Sequence, residues 1–372
     1  MKIRCCDFKE MANDILKSDK KIIMFGAGVI GEITVPEIIK ENNLLSRIEC
    51  YVDNDCRKWG KNITVYGHEY IVRSPEYLNK CNYNFVIFLN ISRFVEVKEQ
   101  LEQMECTKNM ECYIMPMMCI YNMCSKQSGG NVVKTKEPVI PKKIHYMWLG
   151  HKEIPYNLRK CIDKWEKYCP DYEIIQWNED NYDISKHKYM VQAYENKAYG
   201  FVPDYARIDI LYNHGGIYLD TDIELIRSLD DMLYQEAFCG VEKWQVVNFG
   251  GCSGAIKGHP MIKKFLENRS NVFFLNDDGS KNKNTCGYYD TKAILNEGYK
   301  INGESQCING MNIYAYDFFH PYDYMSGTTT ITNNTYSIHH FNGGWLDEKL
   351  VKQNELVKQR YEKILSQCLE EK

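Results

Sequence analysis

The chain has 372 residues, with 46 lysines and arginines against 50 aspartates and glutamates and a formal charge of −4. That balance gives no general attraction to nucleic acid or to an anionic membrane, while the length accommodates two domains with ample cores. The sixteen cysteines form no C-x-x-C pair, and neither the first ten residues nor any later run has the apolar length of a leader or a membrane span. Reduced thiols in a soluble cytoplasmic protein, at most peripheral at the inner face of a membrane and with no transmembrane segment, are therefore expected.

Asp7 to Glu10 has the form of a capping box before a helix that carries Phe8, Met11, Ala12, Ile15 and Leu16 on one side. Lys21 to Phe25 reads as a short buried strand, followed by Gly26-Ala-Gly-Val-Ile-Gly31, a helix to about Asn42 kinked at Pro36, and a strand from Ile48 to Val52 ending at Asp53. This is the arrangement of a dinucleotide loop: Gly26, Gly28 and Gly31 would admit a phosphate to the helix N-terminus, and Asp53 would hold a ribose. The same glycines serve equally to shape a turn. Further strand and helix signals at Ile63 to Val72, Ser74-Pro75, Phe85 to Leu89, Ser92 to Met104 and Cys112 to Met115 predict a small parallel-sheet domain over residues 1–124. Phe25-Gly-Ala-Gly28, Tyr51-Val-Asp-Asn-Asp55 and Trp59-Gly60 resemble the small Rossmann-like domain that precedes sugar-modifying acyltransferases and several bacterial surface-polysaccharide enzymes.

Ser125 to Asn131 is polar and glycine-rich, which predicts a linker over 125–137 and a second domain over 138–372 that ends in a helix. In that domain Pro141 to Gly150 reads as a strand ending near Trp148. A helix from Tyr156 to Tyr168 and a strand from Tyr172 to Trp177 follow. The alternation implies a mostly parallel sheet with a site at the strand ends.

The block Phe201 to Asp222 carries the most chemistry. Pro203 suits a first helical turn and Gly215-Gly216 a helix end, so a helix runs from Pro203 to His214. Asp204 and Arg207 are three apart on it and can touch. From Ile217 to Leu225 apolar residues alternate with Tyr218, Asp220, Asp222 and Glu224, predicting one strand with a polar face. On an extended strand Asp220 and Asp222 would be about 6.6 Å apart at Cα, too wide for symmetric chelation. Asp222 is then the better direct ligand for a hard divalent cation, with Asp220 acting through water, ribose or a bent strand end.

Four segments in order, Ile144 to Gly150, Asp204 to Asp222, Asn248-Phe-Gly-Gly251 with Gly258-His-Pro260, and Ser337 to Trp345, resemble glycosyltransferase family 32, the "DXD sugar-binding" group related to the clostridial glucosylating toxins. The resemblance covers roughly residues 140–346. It implies a GT-A α/β fold, a nucleotide-sugar donor (UDP-hexose first), a divalent metal with manganese preferred over magnesium, and retention of the anomeric configuration. It further implies that Trp148 stacks on the donor base with Tyr218 nearby. Asp204 and Arg207 would bind the sugar hydroxyls and the diphosphate side, while Asp220 and Asp222 hold metal and ribose. Asn248 would contact donor sugar or acceptor. His339 would complete the metal shell, with His340 as the alternative, and Trp345 would cover the diphosphate within a lid from Phe341 to Leu346 hinged at Gly343-Gly344. The acceptor it implies is a saccharide, lipid-linked in a capsular or surface-polysaccharide pathway, with a protein side chain second. Taken singly, Trp148 could be core and Asp204–Arg207 an ordinary helix ion pair. A non-catalytic saccharide-binding protein and an NAD-linked oxidoreductase are the competing classes; the intact aspartates argue against the first and the lack of a Tyr-x-x-x-Lys helix after the glycine loop against the second.

Overall fold

The computed structural model describes residues 1–4, 6–81, 84–92, 94–123, 129–282 and 284–342, together with 352, 355, 358–361, 363 and 364. Two compact units divide the chain. The first comprises Met1–Gln127, Met325–Gly327 and Glu348–Lys372, and the second Ser128–Tyr324 and Thr328–Asp347.

The first unit contains β1 (Lys2–Arg4), α1 (Phe8–Leu16), β2 (Lys21–Phe25), α2 (Val35–Glu41), β3 (Ile48–Val52), β4 (Asn62–Val65), β5 (His68–Arg73), β6 (Phe85–Leu89), α3 (Phe94–Gln103), β7 (Glu111–Ile114) and α4 (Met115–Met123). Its seven strands run in the order β1-β7-β6-β2-β3-β5-β4, parallel throughout except for β4 against β5. Ile22 to Phe25 and Val86 to Leu89 are unbroken buried runs, as parallel strands covered on both faces require. The Asp7 carboxylate caps α1 by accepting from the Glu10 N–H at 2.8 Å. Two expectations change here. The stretch Ile63 to Val72 is a hairpin, turned by Tyr66 and Gly67 at φ 48° and 79°, the left-handed pair of a two-residue turn. Pro36 stands where a π-helical turn, Ile30–Thr34, passes directly into α2, so the expected kink site is a change of helical winding.

The C-terminal stretch was assigned from sequence to the second domain, whereas Glu348–Lys372 groups with the first unit. Buried Tyr361 supplies the reason, packing its ring 5.5 Å from that of Phe94 on α3, beside an Arg360–Glu99 ion pair at 3.0 Å.

The second unit contains β8 (Lys143–Met147), α5 (Tyr156–Tyr168), β9 (Glu173–Trp177), α6 (Lys188–Glu195), α7 (Pro203–His214), β10 (Gly216–Tyr218), β11 (Ile223–Leu225), β12 (Ala237–Val241), β13 (Val247–Asn248), β14 (Ser253–Ala255), α8 (Pro260–Arg269), α9 (Cys286–Asn296), β15 (Gln306–Ile308), β16 (Met311–Tyr314), α10 (Tyr316–Phe319) and β17 (Ser337–His339). The main sheet runs β15-β16-β12-β14-β10-β8-β9, with β13 paired to β12. Neighbours β9, β8 and β10 are parallel, as are β12 and β16, while β14 runs antiparallel between β10 and β12. A separate antiparallel ladder joins β11 to β17. The α/β class expected from the sequence holds in both units. Among the described residues no helix is long and apolar enough to cross a membrane.

Two buried side chains lock the elements beneath the site. His145 on β8 bonds through Nε2 to the Gly215 carbonyl at 2.8 Å and accepts at Nδ1 from the Trp177 indole at 3.2 Å. This fixes the Nε2–H tautomer, and burial pushes its pKa down to about 4, so it stays neutral. Trp165 on α5 donates to the Ile223 carbonyl at 2.7 Å, tying that helix to β11.

Candidate functional site

The strand expected from Ile217 to Leu225 is broken. Leu219 N donates to the His145 carbonyl at 3.0 Å and Asp220 N to the Gly250 carbonyl at 2.8 Å; Ile223 N then turns back onto the Asp220 carbonyl at 3.1 Å. Asp220 and Asp222 therefore lie in a turn between two ladders, not on one pleated face. The left-handed Gly215 and Gly216, at φ 66° and 104°, direct the chain out of α7 into this path.

The end of β17 encloses Asp222. Pairing of Ile223 with His339 sets the register, and the His339 Nε2 lies 3.4 Å from Asp222 Oδ1. Asn342 N donates to Oδ2 at 2.9 Å and His340 N to the Asp222 carbonyl at 3.1 Å. Burial alone would raise the Asp222 pKa, but His339 and the Asn342 N–H outweigh it and hold the group at about 2. Burial likewise opposes charge on His339, yet Asp222, Asp220 and Glu242 together raise its pKa. His340 faces the other way and pairs with Glu224 at 3.0 Å. The structure thus brings His339, and not His340, to Asp222. Phe341 sits at φ 48°, an unusual conformation for a bulky residue, with its ring stacked 3.8 Å from that of His339. Trp345, Gly343, Gly344 and Leu346 of the expected lid lie outside the described residues.

Asp220 belongs to a second cluster. Arg207 Nη2 lies 3.1 Å from Asp204 Oδ1 and 3.5 Å from Asp220 Oδ2, and its Nε donates to the Pro203 carbonyl at 2.9 Å. Tyr189 donates to the other Asp204 oxygen at 3.1 Å. Burial opposes the Arg207 charge, but Asp220 and Asp204 keep its pKa well above the usual value. Burial raises the Asp220 pKa, and Arg207 only partly offsets this. Asp204 and Arg207 are both buried. Of Asp220 and Asp222, Asp220 has the more open side chain, 26% exposed against 15%. Gly250 makes this fit, since a Cβ there would lie 1.9 Å from Asp220 Oδ2 and 2.5 Å from Arg207 Nη1.

Tyr218, expected near the donor base, is a buried residue. Its side chain is wholly buried beneath Arg207, whose guanidinium carbon is 5.7 Å from the ring centroid, so it supports Arg207 and has no face to offer a base. Trp148 is half-buried at the end of β8, its indole donating to the Lys152 carbonyl at 2.6 Å.

Asn248 is nearly buried and fully oriented. Its Oδ1 accepts from the N–H groups of Gly250 and Gly251 at 2.9 and 3.2 Å, and its Nδ2 donates to Glu242 Oε1 at 2.7 Å. Burial raises the Glu242 pKa against that hydrogen bond. Beside them His320 is buried 5.5 Å from the His339 ring, and a Cβ on Gly251 would strike it. Burial drives its pKa well down. Sequence reasoning missed Glu242, His320 and Tyr189. None of the three sits in a local pattern, and only the tertiary fold brings them to the aspartates.

In the first unit the glycine loop is closed on itself. The Asp53 carboxylate accepts from the Ala27 N–H at 2.8 Å, the Asp55 N–H at 2.8 Å and Lys58 Nζ at 3.1 Å. A Cβ on Gly26 would meet Ile91 and Asn90, and one on Gly31 would lie 1.9 Å from the Gly26 carbonyl; only Gly28 faces open space. Tight packing of the turn accounts for Gly26 and Gly31, and Asp53 is engaged in holding that turn.

Residues 155–239, which include both aspartates, match the family model described as glycosyltransferase sugar-binding region containing DXD motif. This region resembles that glycosyltransferase family. The DXD is Asp220-Thr221-Asp222, and the preceding Asp204–Arg207 pair falls within the same match. Residues 18–110 match a second model, C2185-like, N-terminal. Similar to the DXD glycosyltransferase region is "Inositol phosphoceramide mannosyltransferase 3" of Schizosaccharomyces pombe, 29% identical over 145 residues, which are 37% of this chain and 39% of that protein. "Uncharacterized glycosyltransferase L373" of Acanthamoeba polyphaga mimivirus is 28% identical over 189 residues, 49% of this chain and 74% of the relative. "Mannosyl phosphorylinositol ceramide synthase SUR1" of Saccharomyces cerevisiae is 30% identical over 137 residues, 36% of this chain and 35% of the relative. The chain thus spans about two-fifths or less of the length of the two mannosyl-transferring relatives.

Proposed function

We propose that the second unit is a metal-dependent, retaining glycosyltransferase of the GT-A type that moves a hexose from a nucleotide-sugar donor to a hydroxyl acceptor. The observation that carries this reading is the convergence of His339 with Asp222, beside Asp220 and Arg207, where Arg207, Asp220 and Asp222 lie in the region that matches the DXD family.

The residues fit a divalent cation. Asp222 is held ionised, and His339 offers an imidazole whose buried Nδ1 has no hydrogen-bond partner. Among the described residues no cluster of three or more His, Cys, Asp or Glu side chains forms, so the fit rests on this pair, with water and phosphate oxygens filling the remaining positions. An imidazole beside a carboxylate suits manganese better than magnesium. When bound, the cation supplies charge neutralisation for the departing diphosphate.

The chain's own residues divide the remaining work. Trp148 stacks on the base, and Asp220, backed by Arg207, takes a ribose or sugar hydroxyl. Asn248, locked by the Gly250 and Gly251 N–H groups, contacts the transferred sugar. Arg207 is buried under Asp220, so its charge acts on the diphosphate through the low-dielectric interior instead of by direct contact. The acceptor hydroxyl attacks from the face the diphosphate leaves, and the configuration is retained. The acceptor is a saccharide of a surface-polysaccharide pathway, and the site works at the cytoplasmic face. Mannose belongs among the donors to test, since relatives at 29% and 30% identity bear mannosyl-transfer names.

The test is NMR analysis of products formed from UDP- and GDP-hexoses with oligosaccharide acceptors and manganese. A new glycosidic bond of the donor's own anomeric configuration is expected. An inverted bond would remove the retaining assignment, and binding without turnover would favour a saccharide-binding protein.

A further inference from the structure

We infer that Glu242 is a sugar-binding residue that accepts a hydrogen bond from a hydroxyl of the transferred hexose, side by side with the amide of Asn248. This rests on the donor-site reading above and names a contact that no motif marks.

Geometry leads to it. Glu242 begins the turn between β12 and β13, where its N–H bonds the Val246 carbonyl at 2.8 Å and its carbonyl accepts from Gln245 N at 2.8 Å. The turn is not a plain hairpin tip. Gln245 lies at φ 63° with a wholly buried side chain, and neither of its amide atoms has a partner. Lys243 and Trp244 are also buried. A turn that buries polar groups and holds a strained residue is costly unless its groups meet something the free protein lacks.

Glu242 Oε1 accepts a hydrogen bond from Asn248 Nδ2 at 2.7 Å, and Asn248 Oδ1 is fully used by Gly250 and Gly251. The amide cannot flip without losing all three bonds. Glu242 Oε2 takes no hydrogen bond from the described residues, and one Nδ2 proton of Asn248 is likewise free of any. One acceptor and one donor, rigidly held and adjacent, match a hydroxyl that both gives and receives.

Charge decides which part of a nucleotide sugar they meet. Asn248, which Glu242 holds, accepts from the Gly250 N–H, and the Gly250 carbonyl in turn accepts from Asp220 N, so the Glu242–Asn248 pair adjoins the turn that carries Asp220 and Asp222. A carboxylate set against the diphosphate would be repelled by it. The hexose is the uncharged part of the donor and becomes electron-poor at its anomeric carbon as the diphosphate leaves, so a carboxylate is electrostatically suited to that side.

Glu242→Gln tests this, because glutamine keeps the size of the side chain and an oxygen for Asn248. Affinities for UDP, UDP-glucose, GDP and GDP-mannose are measured by calorimetry with manganese, alongside kcat/KM for nucleoside diphosphate release. The expected result is unchanged affinity for the bare nucleoside diphosphate, with a fall of roughly tenfold or more in sugar-nucleotide affinity or kcat/KM, as for a lost hydrogen bond to a charged group. Glu242→Asp, read the same way, replaces it if the glutamine variant does not fold. Wild-type values for the sugar nucleotide would overturn the inference, and so would an equal loss for UDP and UDP-glucose, which marks a structural role. A change confined to the acceptor KM would overturn it too. If the wild-type protein engages none of these sugar nucleotides, the donor-site reading itself fails and this inference with it.

Discussion

The Nε2 of His339 stands 3.4 Å from the Oδ1 of Asp222, while its neighbour His340 points away to Glu224. This opposition separates two adjacent histidines by position. His339→Ala should reduce manganese-dependent turnover by at least the ~10–100-fold seen when the shell of a metal site is disturbed. His340→Ala removes only a partly exposed pair, worth up to about 1 kcal/mol of stability, and should leave turnover near wild type. Manganese titration of the two variants checks this.

The same pair predicts a pH signature in the metal-free protein. The His339 pKa is raised in the fold, so its contribution to stability is complete below about 6.5 and is lost as pH rises through the folded value. The Asp222 pKa is lowered to about 2, so its contribution is complete above about 3.9 and disappears as pH falls toward 2. With chelator present, Tm should fall between pH 6 and pH 9 more in the wild type than in Asp222→Asn. Parallel curves would show that the pair does not titrate this way.

Gly250→Ala should be damaging although its backbone needs no special φ. The added methyl would press on Asp220 and Arg207 together. Overpacking of this kind destabilises by about 1–3 kcal/mol. Denaturant unfolding should show that loss, with a drop in donor affinity from displacement of Asp220.

Arg207→Ala tests the buried cluster. It leaves Asp204, bonded to Tyr189, without its ion-pair partner, and Asp220 without the guanidinium. Removing one partner of a buried pair destabilises by about 3–5 kcal/mol. Urea unfolding should show a loss in that range, larger than for Lys263→Ala, whose pair with Glu267 is exposed.

The parts legible in the sequence were those written in local signals. Pro203 and Gly215 bounded α7, and the three-residue spacing of Asp204 and Arg207 foretold their contact. Alternation from Ile217 to Leu225 foretold one continuous strand and hid the turn that divides it in two, because the bond from Asp220 N to Gly250 comes from a distant segment. Burial of Tyr218 was hidden for the same reason, since its polar-face position says nothing of Arg207 lying over it. Asp53 stood at the spacing of a ribose ligand, yet its carboxylate is taken up by the nearby Ala27 N–H. Glu242 has no sequence signature, and its place follows only from the β12–β13 register that aligns Gly240 with Asn248.

The most direct test of the account is nucleoside diphosphate release from UDP-glucose, UDP-galactose, UDP-N-acetylglucosamine and GDP-mannose by the wild type and Asp222→Asn, with and without manganese. The account predicts release from at least one donor by the wild type only when manganese is present, and none by a variant that still folds. Full activity in Asp222→Asn, or thermal stabilisation of the wild type by NAD and by no sugar nucleotide, would contradict it.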